Sequence, residues 1–416
     1  MSMKRVAIIG AGPAGMMAAA TAAQEGATVT LLEKMDRPGR KLAITGKGRC
    51  NITAAVDQDQ LIKGYPGNGR FLYSVFNELS NFDLIDLFNQ EGLETKVERG
   101  NRVFPLCDDA KQVVDILSKR ARRLGVKLLT GTTVKRVKIV EGIVTGLVSD
   151  QGDLPAEAII ICTGGLSYPG TGSTGDGYTW AAQAGHTIIE PRPGLVPLTV
   201  SESWVGELQG LSLKNVKASS YTEKGKRINE DFGEMLFTHF GLSGPIILSM
   251  SHDIGKELQQ NGKTVIVKID LKPALTEDKL DSRLLNDIEK YSRKMFKNAL
   301  NDLLPQKMIP VIIGLSGIDP EKECHQITRA ERLGLVTLLK NLTLTVNGTR
   351  PIAEAIVTAG GIATREINPK TMESRLVKGL FFAGEVIDVD GYTGGYNLQA
   401  AFSTGYVAGK YAAQEE

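Results

Sequence analysis

The chain has 416 residues, which allows two or three domains of about 150 residues each and a core that needs no staples. Charged residues make up 23% and hydrophobic residues 42%, and the net charge of only +2 gives no field for gripping a polyanion or an anionic bilayer. No apolar run approaches the roughly 20 residues of a membrane span. No signal-peptide core opens the sequence, and Cys50, Cys107, Cys162 and Cys324 are scattered without a CxxC, which speaks against a disulfide scaffold or zinc module and for the cytoplasm.

Glycine is the outlier, with 46 residues where average usage of about 7% would give far fewer. It gathers at 10–15, 39–48, 164–177 and 384–405. The first cluster follows Arg5–Ile9, a continuous apolar run suited to a parallel strand covered on both faces. Gly10-Ala11-Gly12-Pro13-Ala14-Gly15 then leads into a small-residue helix, expected over Met16–Glu25. A second strand, Thr28–Leu32, ends in Glu33 and Lys34. Gly10 permits the tight turn, Gly12 lets backbone approach a pyrophosphate, and Gly15 lets helix and strand pack closely. The helix N-terminus, with Pro13 and Ala14 leading it, offers unpaired N–H groups to phosphate. Glu33, 18 residues after Gly15, is placed to accept both ribose hydroxyls and argues against a 2′-phosphate there. An ordinary strand–helix turn would need the glycines only for packing; the complete order of strand, helix, strand and acid favours a dinucleotide.

The next segment, Arg37–Asn51, is Gly-rich and basic. A solvated loop is the plain reading. The preferred one is backbone wrapped round the pyrophosphate and ribityl chain of FAD, with Arg40 and Lys41 neutralising phosphate and Gly46, Gly48 and Asn51 alongside. Residues 126–137 are expected to form a strand pair that presents the backbone of Val134 to an adenine. Ala158–Cys162 is a buried strand ending in Thr163-Gly164-Gly165, a second close-approach turn. Near the end, Gly379–Ala383 delivers Gly384 and Glu385. The run Gly391–Gln399, with Gly395, Asn397 and Leu398, then precedes a helix over Ala400–Ala413. The N-terminus of that helix would stabilise negative charge on a flavin's N1/C2 edge.

Between these parts the sequence changes character. Pro191, Pro193 and Pro197 punctuate the start, strand-like segments follow at Val196–Val200, Val216–Tyr221 and Thr264–Leu271, and Lys272–Leu342 reads as helices broken at Pro305, Pro310 and Pro320. This predicts a discontinuous FAD-binding domain, residues 1–192 with 350–416, carrying an inserted substrate or cap domain at 193–349, its β part at about 193–272 and its helical part at about 273–342.

Three motifs are more specific than GxGxxG: residues 45–53, Leu236–Pro245 (LFTHFGLSGP) and Asp388–Gly405 (DVDGYTGGYNLQAAFSTG). On these the whole chain resembles the YhiN-type, or BaiN-type, NAD(P)/FAD-dependent bacterial oxidoreductases. The resemblance implies an α/β, Rossmann-like FAD domain of the glutathione-reductase superfamily's fumarate-reductase-like branch. It also implies oxidoreductase activity, with some members reducing carbon–carbon double bonds in bile-acid intermediates.

The expected function is therefore an FAD-dependent oxidoreductase. It holds FAD non-covalently, takes electrons from transiently bound NAD(P)H, and reduces a small organic acceptor by hydride transfer from flavin N5. Two alternatives are a flavin-dependent RNA-modification protein, which the near-zero net charge disfavours, and a flavin-bound sensor or scaffold. The four histidines (His186, His239, His252, His325) show no metal spacing. Reduction of a double bond needs a proton, and His239 in its Gly/Ser-rich turn and Tyr392 in the C-terminal glycine run are the candidate donors. For His239, a turn-capping role is the alternative. Cys162 reads as core and Cys107 as structural, Cys50 lies on the loop expected to run along the flavin, and Lys119–Arg123 (KRARR) reads as a solvated helix face.

Overall fold

The computed structural model describes residues 3–260, 262 and 264–414. The chain divides into two compact units, Met1–Gly194 with Ile352–Glu416, and Leu195–Pro351. In chain order the first unit carries β1 (Arg5–Ile9), α1 (Pro13–Gln24), β2 (Thr28–Leu32), α2 (Ala110–Arg123), β3 (Lys127–Leu129), β4 (Ala158–Ile161), α3 (Asp176–Gln183), β5 (Ile188–Gly194), β6 (Val357–Ile362), β7 (Leu380–Phe382) and α4 (Tyr396–Ala413). Other elements are named by their residues where they bear on the site.

Five of these strands form a parallel sheet in the order β7-β4-β1-β2-β3. Its middle strands are apolar throughout because both faces are covered: every residue of β4 and the last four of β1 are buried. The small side chains of α1 have a matching purpose. Gly405 and Gly409 of α4 lie so close to Ala14 and Ala18 that an added Cβ would overlap their carbonyl oxygens. These two contacts advance together by four residues, so α1 and α4 run parallel. At 1.5 Å per residue, the N-terminus of α4 projects about 12 Å beyond that of α1.

Residues 126–137 do not form a strand pair. Lys127–Leu129 extends the parallel sheet beside β2, whereas Val134–Val140 starts an antiparallel meander with Ile143–Ser149 and Gly152–Pro155. Thr130–Thr133 separates them, with Gly131 at φ +62° and the amides of Gly131 and Thr132 donating to the carbonyls of Met35 and Glu33. Nor is Lys119–Arg123 a uniformly solvated face. Arg120 is buried and reaches Gln24 and Glu91 from the inner side of α2.

The second unit is built on a closed six-stranded barrel, ordered Leu198–Val200, Gly241–Ser243, Arg227–Phe237, Ser212–Thr222, Val265–Asp270, Leu342–Thr349. Alternation shows why it closes: Val265, Val267 and Ile269 are buried, while Ile266, Lys268 and Asp270 between them are not. Closure leaves no sheet edge unpaired. A long helix, Pro245–Gln260, packs on the barrel, and further helices follow at Glu277–Lys290, Ile309–Ser316 and Arg329–Lys340. Pro310 stands in the first turn of its helix, where its missing N–H costs nothing, and so starts that helix instead of breaking it. Among the described residues no helix is long and apolar enough to cross a membrane.

Candidate functional site

Parallel strands place their carboxyl ends along one edge, and the glycine clusters fall in the turns that leave it. After β1, Gly10 adopts φ +99°, and a Cβ there would sit 2.6 Å from the carbonyl oxygen of Cys162. Gly15 is equally constrained, since a Cβ would overlap the Gly10 carbonyl. Gly12 differs: an added Cβ would meet nothing within 4 Å, so backbone is open to approach there. Gly12 caps α1 without a side-chain bond, Pro13 has no N–H, and the first turn holds no acid. The N–H groups of Ala14 and Gly15 thus face the edge at the positive end of the helix. Glu33, ending β2, accepts from the amides of Ala11 (2.8 Å) and Met35 (2.9 Å), which fixes its carboxylate beside the turn.

Three cations of this region, Lys34, Arg40 and Lys41, have protein partners. Lys34 donates to Thr174 and pairs with Asp176 at 2.7 Å. Arg40 lies 3.4 Å from Asp36. Lys41 pairs with Glu385 at 2.7 Å and donates to Ser167, so its charge is met by protein. Burial acts to raise the Glu385 carboxyl. The Lys41 ammonium and hydrogen bonds from Lys41, Thr358 and Ser167 outweigh that and hold it below the ordinary carboxylate range.

The loop that follows is tightly wound, with positive φ at Gly46, Lys47, Gly48 and Cys50. Arg49 secures it by bonding Glu98 and Asp108 and lying 4.2 Å over the Phe104 ring. Cys50 is fully buried, and burial pushes its thiol up to about 12. Beside it, Asn51 Oδ1 is buried and has no partner. Thr163 Oγ1, in the turn after β4, is buried and unpartnered too. Gly164 in that turn has φ +70°, and a Cβ on Gly165 would strike the Thr358 hydroxyl. Val134 opens the meander and is buried.

After β7, Gly384 adopts φ +76°, and a Cβ there would lie 2.9 Å from that of Ala14. Gly395 caps α4 at φ +99°, where a Cβ would lie 2.5 Å from Thr53 backbone. The first turn of α4, containing Asn397 and Leu398, carries neither a side-chain cap nor an acid. The Asn397 side chain is engaged, bonding both the N–H (2.8 Å) and the carbonyl (2.7 Å) of Gly391, so it fastens the glycine run while the backbone amides stay available. The Tyr392 amide donates to Gly64 at 2.9 Å in the same unit. His239 belongs to the second unit. It is exposed at the tip of a hairpin closed by Thr238 N–H to Gly241 O, and its ring meets Phe240 edge-on at 4.9 Å.

Two residues of this network carry no motif. Thr358 takes the amides of Leu166 and Ser167 on its hydroxyl and gives its own amide to Glu385. Ser167 joins Lys41 to Glu385. The only sequence signal was the position of Thr358 just before Gly360-Gly361. Cys107 departs from its structural reading, since it is exposed.

These residues fit FAD. An open Gly12, two uncapped helix N-termini staggered by about 12 Å, an acid at the end of β2, and buried acceptors on Asn51 and Thr163 match a long ligand with a pyrophosphate, many hydroxyls and a second electron-rich end. Comparisons agree. The family described as HI0933-like protein Rossmann domain matches residues 4–411. A 3-dehydro-bile acid delta(4,6)-reductase of Clostridium scindens is 33% identical, over 99% of this chain and all of its own. A ribosomal RNA dihydrouridine synthase of Escherichia coli is 34% identical, over 96% and 95%. The fold is also that of a 3-ketosteroid-Δ4-(5α)-dehydrogenase from Rhodococcus jostii, with TM-score 0.54 and 14% identity, covering 99% of this chain and 97% of the other. The chain thus belongs to the HI0933-like Rossmann-domain family and is an FAD-dependent oxidoreductase.

Proposed function

We propose that the protein uses NAD(P)H-derived electrons to reduce a carbon–carbon double bond conjugated to a carbonyl. The parallel, staggered N-termini of α1 and α4 carry this reading. One suits a pyrophosphate and the other the electron-rich edge of a flavin. Both relatives' names describe saturation of such a bond, in a 3-keto bile acid and in a uracil ring.

FAD, when bound, supplies two-electron hydride chemistry between a nicotinamide and an acceptor. The protein's share is positioning and charge. Glu33 receives ribose hydroxyls, the amides of Ala14 and Gly15 receive phosphate, and Asn51 and Thr163 receive hydroxyls or ring N–H. The α4 N-terminus offsets negative charge at the far end. A proton for the acceptor's α-carbon comes from His239 or Tyr392. The sequence holds no second strand–turn–helix glycine motif, so donor and acceptor use one site in turn, which gives ping-pong kinetics.

The test is anaerobic titration of the purified yellow protein with NADH and NADPH, followed by mixing with cyclohex-2-enone. Bleaching by a nicotinamide and recovery with the enone are expected. A protein that copurifies without flavin, or a reduced flavin that no enone reoxidises, refutes the reading. A second reading, in which the conjugated carbonyl is a uracil of RNA, is favoured by the E. coli relative. It predicts salt-dependent ribosomal RNA binding and uridine reduction.

A further inference from the structure

Arg192 stands apart from the other cations of the first unit. It is half-buried, its Nε is inaccessible to solvent, that atom has no acceptor, and the guanidinium makes no ion pair among the described residues. A buried guanidinium donor without a partner is costly, and such donors are retained where a ligand completes them.

Its setting is rigid. Pro191 and Pro193 flank it and fix the chain on either side. Ile189 pairs with Gly361 and Arg192 with Ala359, so β5 uses three steps where β6 uses two. That is a bulge, a device that re-aims a side chain. Gly360 and Gly361 hold positive φ, and a Cβ on them would strike the carbonyls of Glu190 and Val386 respectively, so both positions need glycine. Thr358, adjacent to Ala359, bonds both the turn after β4 and Glu385 in the turn after β7. Arg192 therefore springs from a ladder fastened directly to the flavin-edge turns.

We propose that Arg192 anchors the acceptor by donating hydrogen bonds to the carbonyl oxygen of a conjugated ketone or amide, or to a carboxylate oxygen. The assignment rests on the function proposed above. When the β-carbon gains a hydrogen together with both bonding electrons from the reduced cofactor, the carbon–carbon π pair moves to form an enolate, and charge collects on that oxygen. Protonation at the α-carbon then restores the carbonyl. A guanidinium held at the oxygen stabilises the charged stage more than the neutral one.

The experiment uses the full-length FAD-loaded protein, with acetate and cyclohex-2-enone as calorimetric probes. Wild type is expected to bind them. Arg192→Met should weaken binding by about tenfold or more, Arg192→Lys by less, with FAD content and Tm unchanged. Failure of wild type to bind either probe overturns the assignment. So does equal binding by Arg192→Met, or a large fall in Tm with binding intact, which would mark a structural arginine. Should Arg192→Met not fold, the Lys variant carries the same comparison. Enone reoxidation is measured separately: if it fails while probe binding still depends on Arg192, the proposed reaction falls and the anchoring site stands.

Discussion

Replacing Lys41 with Met tests the electrostatics of the carboxyl edge. Lys41 Nζ lies 2.7 and 3.0 Å from the two Glu385 oxygens, and the paired side chains are 20% and 21% exposed. Removing the ammonium leaves Glu385 with the Ser167 hydroxyl and the Thr358 amide, each at 2.8 Å. Breaking a fully buried pair costs about 3–5 kcal/mol; partial exposure and two surviving donors reduce this to about 2–3 kcal/mol. At about 2–4 °C per kcal/mol for a domain of this size, Tm should fall by roughly 5–10 °C at pH 7. The pH dependence has a definite sign. In wild type the Glu385 carboxyl is held below its ordinary range, so its contribution is complete above the unfolded value near about 4.3 and is lost only as pH falls through the lower folded value. In Lys41→Met, burial acts without the opposing charge, the carboxyl titrates above its ordinary range, and protonation relieves the variant as pH drops. Thermal melts at pH 7 and pH 5 should show the gap narrowing. A gap that is negligible at pH 7, independent of pH, or wider at pH 5 refutes the argument. Adding Glu385→Gln to Lys41→Met should recover part of the loss at pH 7.

Glu33→Ala should weaken FAD by about 1–3 kcal/mol in equilibrium dialysis, since it strips the turn of its fixed carboxylate; retention equal to wild type would remove Glu33 from the ribose site. His239→Ala should leave FAD binding and nicotinamide reduction intact and slow enone reoxidation by about 10²-fold or more in stopped flow. An unchanged oxidative half-reaction would leave Tyr392 as the donor to test. Native protein should show one rapidly reacting thiol with Ellman's reagent at pH 8, exposed Cys107, while Cys50, pushed up to about 12 by burial, reacts only on unfolding. Persistence of the fast phase in Cys107→Ser would contradict this.

The sequence made legible what is local and periodic. An apolar pentapeptide, a glycine turn, an alanine-rich helix and a strand ending in an acid each announce themselves within a dozen residues. What depends on distant partners was hidden. Lys41 and Glu385 are 344 positions apart, so a cation in a glycine loop looked like a phosphate ligand while its carboxylate partner stayed hidden. Strands at 198–200 and 342–349 close a barrel through pairing that no window contains. Apolar residues on either side of Thr130–Thr133 resemble one hairpin, and only the edge of β2 decides that the first half joins another sheet. Arg120 sits in a basic run yet points inward, because the Ala-rich surface of α1 leaves room for it beside Gln24.

The glycine–alanine seam between α1 and α4 joins residues that a ribosome makes far apart in time. Ala14 emerges almost 400 residues before Gly405, an interval of about 20–80 s at ordinary elongation rates. Throughout it the buried face of α1 lacks its lid. The intervening Leu195–Pro351 unit, with its own core, is complete in sequence before that lid exists. Cofactor capture therefore belongs to the end of synthesis, and a chain stopped short of Gly405 presents a bare alanine face to chaperones and proteases however well its first glycine turn has formed.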